Sequence, residues 1–207
     1  MSKAPLINAL IPIAAALMLA GCASTYVSPV EVTRFVGESP QRLGSGTIAV
    51  RAAPGMPDDR LEFAIYEQAI GAELARLGYQ VVTGPAAASA EQIAEVRVSR
   101  LSQQAVSTSR SPVSVGVGGS TGSYGSGLGV GLGINLGGGG RPSEVVDTAI
   151  GVVIRDATGA LPLWEGRAGF SASARSDQAA RDAAAERLAS ALFSGFPGQS
   201  GETIEVR

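Results

Sequence analysis

Cys22 is the only cysteine in this chain of 207 residues, and it closes the tetrapeptide Leu19-Ala20-Gly21-Cys22 after an apolar run from Leu6 to Leu19. Those surroundings specify one reaction for the thiol. Lys3 gives the leader a charged start, the apolar run gives it an export segment, and two small residues form a cleavage site. The pattern predicts a cut between Gly21 and Cys22, a diacylglycerol thioether on the Cys22 sulfur and an acyl chain such as palmitate on the new amino group. Lipid, not a spanning segment, would then hold the protein on a membrane.

The rest of the inventory is defined by what is missing. With no histidine in the chain, Ser-His and Cys-His nucleophile pairs and imidazole metal ligands are all excluded. Beyond the leader there is no lysine either, which removes Schiff-base chemistry, Ser-Lys dyads and the P-loop lysine. A lipidated Cys22 leaves neither a disulfide nor a thiolate metal site. Carboxylates survive this filter, yet only Asp58, Asp59 and Glu62 cluster. They follow Pro57 at the expected start of a helix, where negative charge complements the helix dipole. Asp156-Ala157-Thr158-Gly159 reads as a turn, because a calcium loop needs repeated oxygen ligands that it lacks. The reading therefore assigns no catalytic residue, no cofactor and no metal.

Beyond the leader, 15 arginines stand against 18 acidic residues, a net charge of −3, and they are dispersed from Arg34 to Arg207. Without a basic stripe there is no electrostatic case for nucleic acid, and the arginines read as solvated surface.

The elements that must position these residues form an α+β domain. Residues 1–21 read as the signal peptide, 22–29 as a lipidated tether and 30–207 as a single domain, interrupted by a glycine-rich insertion at about 112–142. The expected architecture is a mainly antiparallel sheet with two helices packed on one face. Strands are expected at Val30 to Val36, Thr47 to Arg51, Tyr79 to Val82, Ala94 to Arg100, Val145 to Arg155, Leu161 to Ala174 and, as an edge, Thr203 to Val206. Asp156 to Gly159 would join two of them as a hairpin. In the sixth, Trp164, Ala168 and Phe170 share one parity, with Gly166 making room between them, so the tryptophan reads as core.

Residues 58–77 repeat Phe63, Tyr66, Ile70, Leu74 and Leu77 at helical spacing, with Leu61, Ile65 and Ala69 widening the buried face and Gly78 as the cap. A second helix is expected from about Asp177 to Phe193, capped by Ser176 and stopped by Gly195 and Pro197. Ala180, Ala184, Leu188 and Leu192 would face inward.

Between Ser114 and Gly140, 13 of 27 residues are glycine, and Leu128, Val130, Leu132, Ile134 and Leu136 alternate with small residues. Val113, Val115 and Val117 do the same earlier. Two extended arms fit this pattern and would suit self-association, partner docking or contact with lipid, whereas the entropy of glycine favours a mobile loop.

Four short stretches resemble one bacterial lipoprotein family, catalogued as domain of unknown function 4136. They are Glu73-Leu74-Ala75-Arg76-Leu77-Gly78-Tyr79, Ala94-Glu95-Val96-Arg97-Val98, the turn from Asp156 to Gly166, and Phe193-Ser194-Gly195-Phe196-Pro197. The resemblance implies an envelope lipoprotein with no assigned activity and no catalytic residues to carry over. Ala23 follows Cys22 where retained lipoproteins carry aspartate, which by resemblance to sorted lipoproteins points to the outer membrane.

The expectation is thus a non-enzymatic outer-membrane lipoprotein whose periplasmic domain binds or braces another envelope component. Two alternatives stay open: a small-ligand-binding or carboxylate-dependent enzyme domain, and a self-assembling scaffold or pore built from the glycine-rich arms.

Overall fold

The structure is a computed structural model, and it describes residues 25–56, 60–104, 144–159 and 161–207. Cys22 and the leader, Asp58, Asp59 and the glycine-rich insertion at 112–142 lie outside the described residues.

Among the described residues, seven strands form one sheet: β1 (Val30–Val36), β2 (Thr47–Ala52), β3 (Gln80–Val81), β4 (Gln92–Gln104), β5 (Glu144–Asp156), β6 (Pro162–Ser173) and β7 (Thr203–Val206). The helices are α1 (Arg60–Arg76) and α2 (Arg181–Phe193), and the strand order is β3-β2-β4-β5-β6-β1-β7. The fold is α+β, but the sheet is mixed where the sequence suggested a mainly antiparallel one. β2 runs parallel to both β3 and β4. The cause is topological: α1 carries the chain from one end of β2 back to the start of β3, and such a crossover returns the next strand in the same direction. A short 3-10 segment, Gly84–Ser89, then leads into β4 on the other side of β2.

Alternation builds the core. Val146, Thr148, Ile150, Val152 and Ile154 of β5 are buried, and the register aligns Ala94, Ile154 and Trp164 in one row and Val96, Val152 and Gly166 in the next. Trp164 is fully buried, as its parity implied. Its ring stacks on Phe193 at 5.5 Å and tilts against Phe196 at 5.2 Å, while its indole N–H donates to the Pro197 carbonyl at 2.9 Å. Gly166 is required there, since a Cβ on it would lie 2.2 Å from the Trp164 ring.

Three details depart from the sequence reading. Leu61 is 82% exposed and does not widen the buried face of α1. At about 100° per residue it lies about 140° around the helix from Tyr66, on the far side from Ile70 and Leu74. Ala180 is also exposed, because α2 begins only at Arg181. Asp177–Ala179 is instead a 3-10 turn, capped by Ser176 as expected, and the Ala179 carbonyl accepts from the Arg100 guanidinium in place of a helical N–H.

The third departure is Arg34. Read as surface, it is 5% exposed, because Val30, Val32 and Arg34 all point inward from β1. Its guanidinium donates to the carbonyls of Ala191 at 3.1 Å, Leu192 at 3.0 Å and Ser194 at 2.6 Å. Those carbonyls end α2, so the cation meets the negative end of the helix dipole.

Candidate functional site

The single site residue named by the sequence, Cys22, lies three positions before the first described residue, so the site is defined by what the chain does next. Bonding to the sheet begins at Tyr26, whose carbonyl accepts from Ser173 N at 2.8 Å. Val27 bridges to Ala172, Ser28 N donates to the Ser171 carbonyl at 2.8 Å, and Ser171 N donates to the Ser28 hydroxyl at 3.0 Å. The Arg187 guanidinium, lying over the Phe170 ring at 5.0 Å, donates to the Ser28 carbonyl at 3.0 Å. From Tyr26 the chain is therefore part of the fold.

The same end of the sheet carries the stem of the insertion. Gln104 and Glu144 are paired residues of β4 and β5, and Ala174 N donates to the Glu144 carbonyl at 3.0 Å. Asp147 ties three strands by accepting from the Ser171 hydroxyl and from Gln103 Nε2 at 2.7 Å. Leu101 to Gln104 are all exposed, Leu101 by 60%. Just inside this end, Arg100 donates to the Thr148 hydroxyl at 3.4 Å and to the Ala179 carbonyl. Burial raises the phenol pKa of Tyr66 beside Arg100, which acts in the opposite direction. That hydroxyl is buried without a well-directed hydrogen bond.

Of the clustered carboxylates, Glu62 alone is among the described residues. Glu62 accepts from Arg181 Nε at 3.1 Å across the first turns of the two helices, and Asp156 pairs with Arg42 at 2.5 Å beside the hairpin turn. Among the described residues, no three Cys, Asp or Glu side chains gather closely enough to hold a metal ion.

A groove of 450 Å³ runs between α1 and the short edge strand, lined by Val50, Ala64, Gly71 and Val81 with Glu67, Gln68 and Thr83 at its margins. Sequence reasoning missed it. β3 is only two residues long, so Val50 of β2 faces α1 with no neighbouring strand beyond Val81, and nothing in the local pattern signals that gap.

The family described as "Domain of unknown function (DUF4136)" matches residues 47–198, from the start of β2 to the glycine after Pro197. The chain belongs to this DUF4136 family. The matched span contains all four stretches that carried the resemblance in the sequence, Glu73 to Tyr79, Ala94 to Val98, Asp156 to Gly166 and Phe193 to Pro197. An uncharacterized protein of Zymomonas mobilis is 37% identical over 71 residues, 34% of this DUF4136 chain, and the match spans 27% of that relative's length.

Among solved structures, the PelC dodecamer of Paraburkholderia phytofirmans is similar with a TM-score of 0.43 and 12% identity, covering 83% of this chain and 99% of that one. A PDZ domain protein of Parabacteroides distasonis has a TM-score of 0.45 and 11% identity, covering 87% and 38%.

Proposed function

We propose that this DUF4136 chain is a non-enzymatic envelope lipoprotein, anchored through Cys22 in the outer membrane, whose periplasmic domain binds or braces another envelope component. The observation that carries the reading is the early start of the fold. Tyr26, four residues after Cys22, is already bonded to Ser173, so the lipobox leads almost directly into a folded domain. The packing supports a binding role for that domain. α1 and α2 touch each other while α1 also packs on β2 and β3 and α2 on β6 and β1. In this reading both helices cover one face of the sheet, and the other face, with Arg97, Ala149 and Arg167 exposed, is left to a partner.

The test is lipidation and address. Wild-type protein is expected to incorporate labelled palmitate and to fractionate with the outer membrane, and Cys22→Ala is expected to lose both. Label retained by Cys22→Ala, or wild-type protein recovered from the inner membrane, would defeat the reading.

The groove favours small-ligand binding as a second reading, since an apolar concavity with a few polar groups at its rim suits such a ligand. A ligand bound only by the folded state raises thermal stability. A melting-temperature rise with an envelope sugar or lipid, abolished by Gly71→Leu, would establish this reading, and a flat screen would remove it.

A further inference from the structure

Four segments end in one row at the Tyr26 end of the sheet. Tyr26 bonds Ser173, Ser173 is paired with Val145, and Val145 is paired with Gln103. Adjacent strands lie about 4.8 Å apart, so the row is about 14 Å wide. Residues 105–143 leave from Gln104 and return at Glu144, both at its margin. On the other side, Cys22 precedes Tyr26 by four residues, which span at most about 14 Å when fully extended. The insertion stem therefore lies within about 28 Å of the Cys22 sulfur, whatever path residues 22–25 take.

We propose that this row of strand ends is the membrane-facing end of the domain, holding the stem of the insertion at the surface of a phospholipid bilayer. The inference rests on the Cys22 anchor and gives it an orientation. With the acyl chains of Cys22 in the bilayer, Tyr26 is confined close to the surface. Ser173, Glu144 and Gln104 are confined with it through backbone bonds and strand pairing.

The chemistry of the row fits that surface. Ser102, Gln103 and Gln104 are exposed, polar and uncharged, able to hydrogen-bond lipid headgroups without the cost of burying a charge; Leu101 adds an exposed apolar side chain beside them, and Glu144 is the half-buried charged member of the row. The opposite end of the sheet, where Gln92 begins β4, lies about 40 Å away along that strand. The groove follows from the same geometry. Val50 pairs with Ala94, ten residues below Gln104, which places the groove about 33 Å from the surface, facing aqueous periplasm instead of lipid.

The experiment uses the lipidated full chain in vesicles of phosphatidylethanolamine and phosphatidylglycerol containing a headgroup-spin-labelled lipid. The lipidated Cys22 is the only native cysteine. Single substitutions at exposed positions therefore accept one fluorophore each: Ser102→Cys and Gln104→Cys in the stem, Gln80→Cys and Thr158→Cys at the opposite end. Each labelled protein is first shown to melt like wild type. The stem fluorophores are expected to be quenched several-fold more than those at positions 80 and 158. Equal quenching at all four, or stronger quenching at 80 and 158, overturns the orientation while leaving the anchor standing. If wild-type protein fails to float with the vesicles, as Cys22→Ala should, the anchor fails and the orientation falls with it.

Discussion

At the hairpin end of the sheet, side chains close almost every gap: Gln92 Nε2 donates to the carbonyls of Arg42 and Ser45, Tyr79 donates to Gln92 Oε1, and Thr47 and Glu91 exchange side-chain-to-backbone bonds. The aromatic cluster and Arg34 seal the end of α2 beside them. At the Tyr26 end, by contrast, β4 runs on as four exposed residues, and the chain before Tyr26, the insertion and the turn from β6 to α2 all leave from there. One end is closed by side-chain bonds, while the other, itself tied by Asp147 and Arg187, carries the connections. That division matches a domain fixed at one end to a support.

The contrast predicts that stability losses concentrate at the hairpin end. Trp164→Ala should have the largest effect. It removes a fully buried indole, its two ring contacts and its bond to Pro197, a loss of about 4 kcal/mol, or roughly 8 to 16 °C in melting temperature. A drop under about 1 kcal/mol in a urea titration would mean that Trp164 lies at a surface after all.

Arg34→Met should come next, at about 2 to 3 kcal/mol, because it leaves the carbonyls of Ala191, Leu192 and Ser194 without their donor in a buried site. Arg34→Lys should recover only part of this, since one ammonium cannot span three carbonyls as a planar guanidinium does. Burial lowers the Arg34 pKa and nearby Glu202 opposes that shift, so the side chain remains a cation across the working range of pH. A Lys variant as stable as wild type would show that charge alone, without the fork, completes the helix end.

How far these features could be read in the sequence depended on the range of the interaction. The β5-β6 hairpin, the buried parity of Trp164, Ala168 and Phe170, and the face of Tyr66, Ile70 and Leu74 were legible, because periods of two and 3.6 are written locally. The direction of β2 was not, since it depends on which neighbour β4 finds after the 3-10 segment. Arg34 was illegible for a similar reason. A lone arginine among valines looks like an outward position until the end of α2, over 150 residues later, supplies its carbonyls. The Leu19-Ala20-Gly21-Cys22 pattern was the clearest signal in the sequence, yet the position of the insertion stem beside Tyr26 emerges only from strand pairing.

Two buried tyrosines separate the ends more finely. Tyr79→Phe at the hairpin end deprives Gln92 Oε1 of its donor and should cost about 1 kcal/mol. Tyr66→Phe near the other end removes a hydroxyl that makes no well-directed bond and should be close to neutral. Burial raises both phenol pKa values above that of the unfolded chain. Their contribution is therefore intact below about pH 10 and is lost as pH rises from there through the raised folded-state values. The double Phe variant should lose less stability than wild type between about pH 9 and pH 11 in urea titrations. An identical alkaline slope would place the titrating groups elsewhere.

The smallest effect on stability should come from the largest change in sequence. Replacing residues 105–143 with a two-residue Asn-Gly turn joins Gln104 to Glu144, which already face each other across an antiparallel pair, so the strands keep their register and the shorter loop costs less chain entropy to close. The melting temperature is expected to stay level or rise by a few degrees. A fall as large as that of Trp164→Ala would show that the insertion packs into the fold and would erase the distinction between the two ends. A stable deletion variant that, unlike wild type, forms no chemical cross-links to envelope proteins in intact cells would sharpen it: the hairpin end holds the domain together, while the stem end presents a segment whose loss the fold does not register.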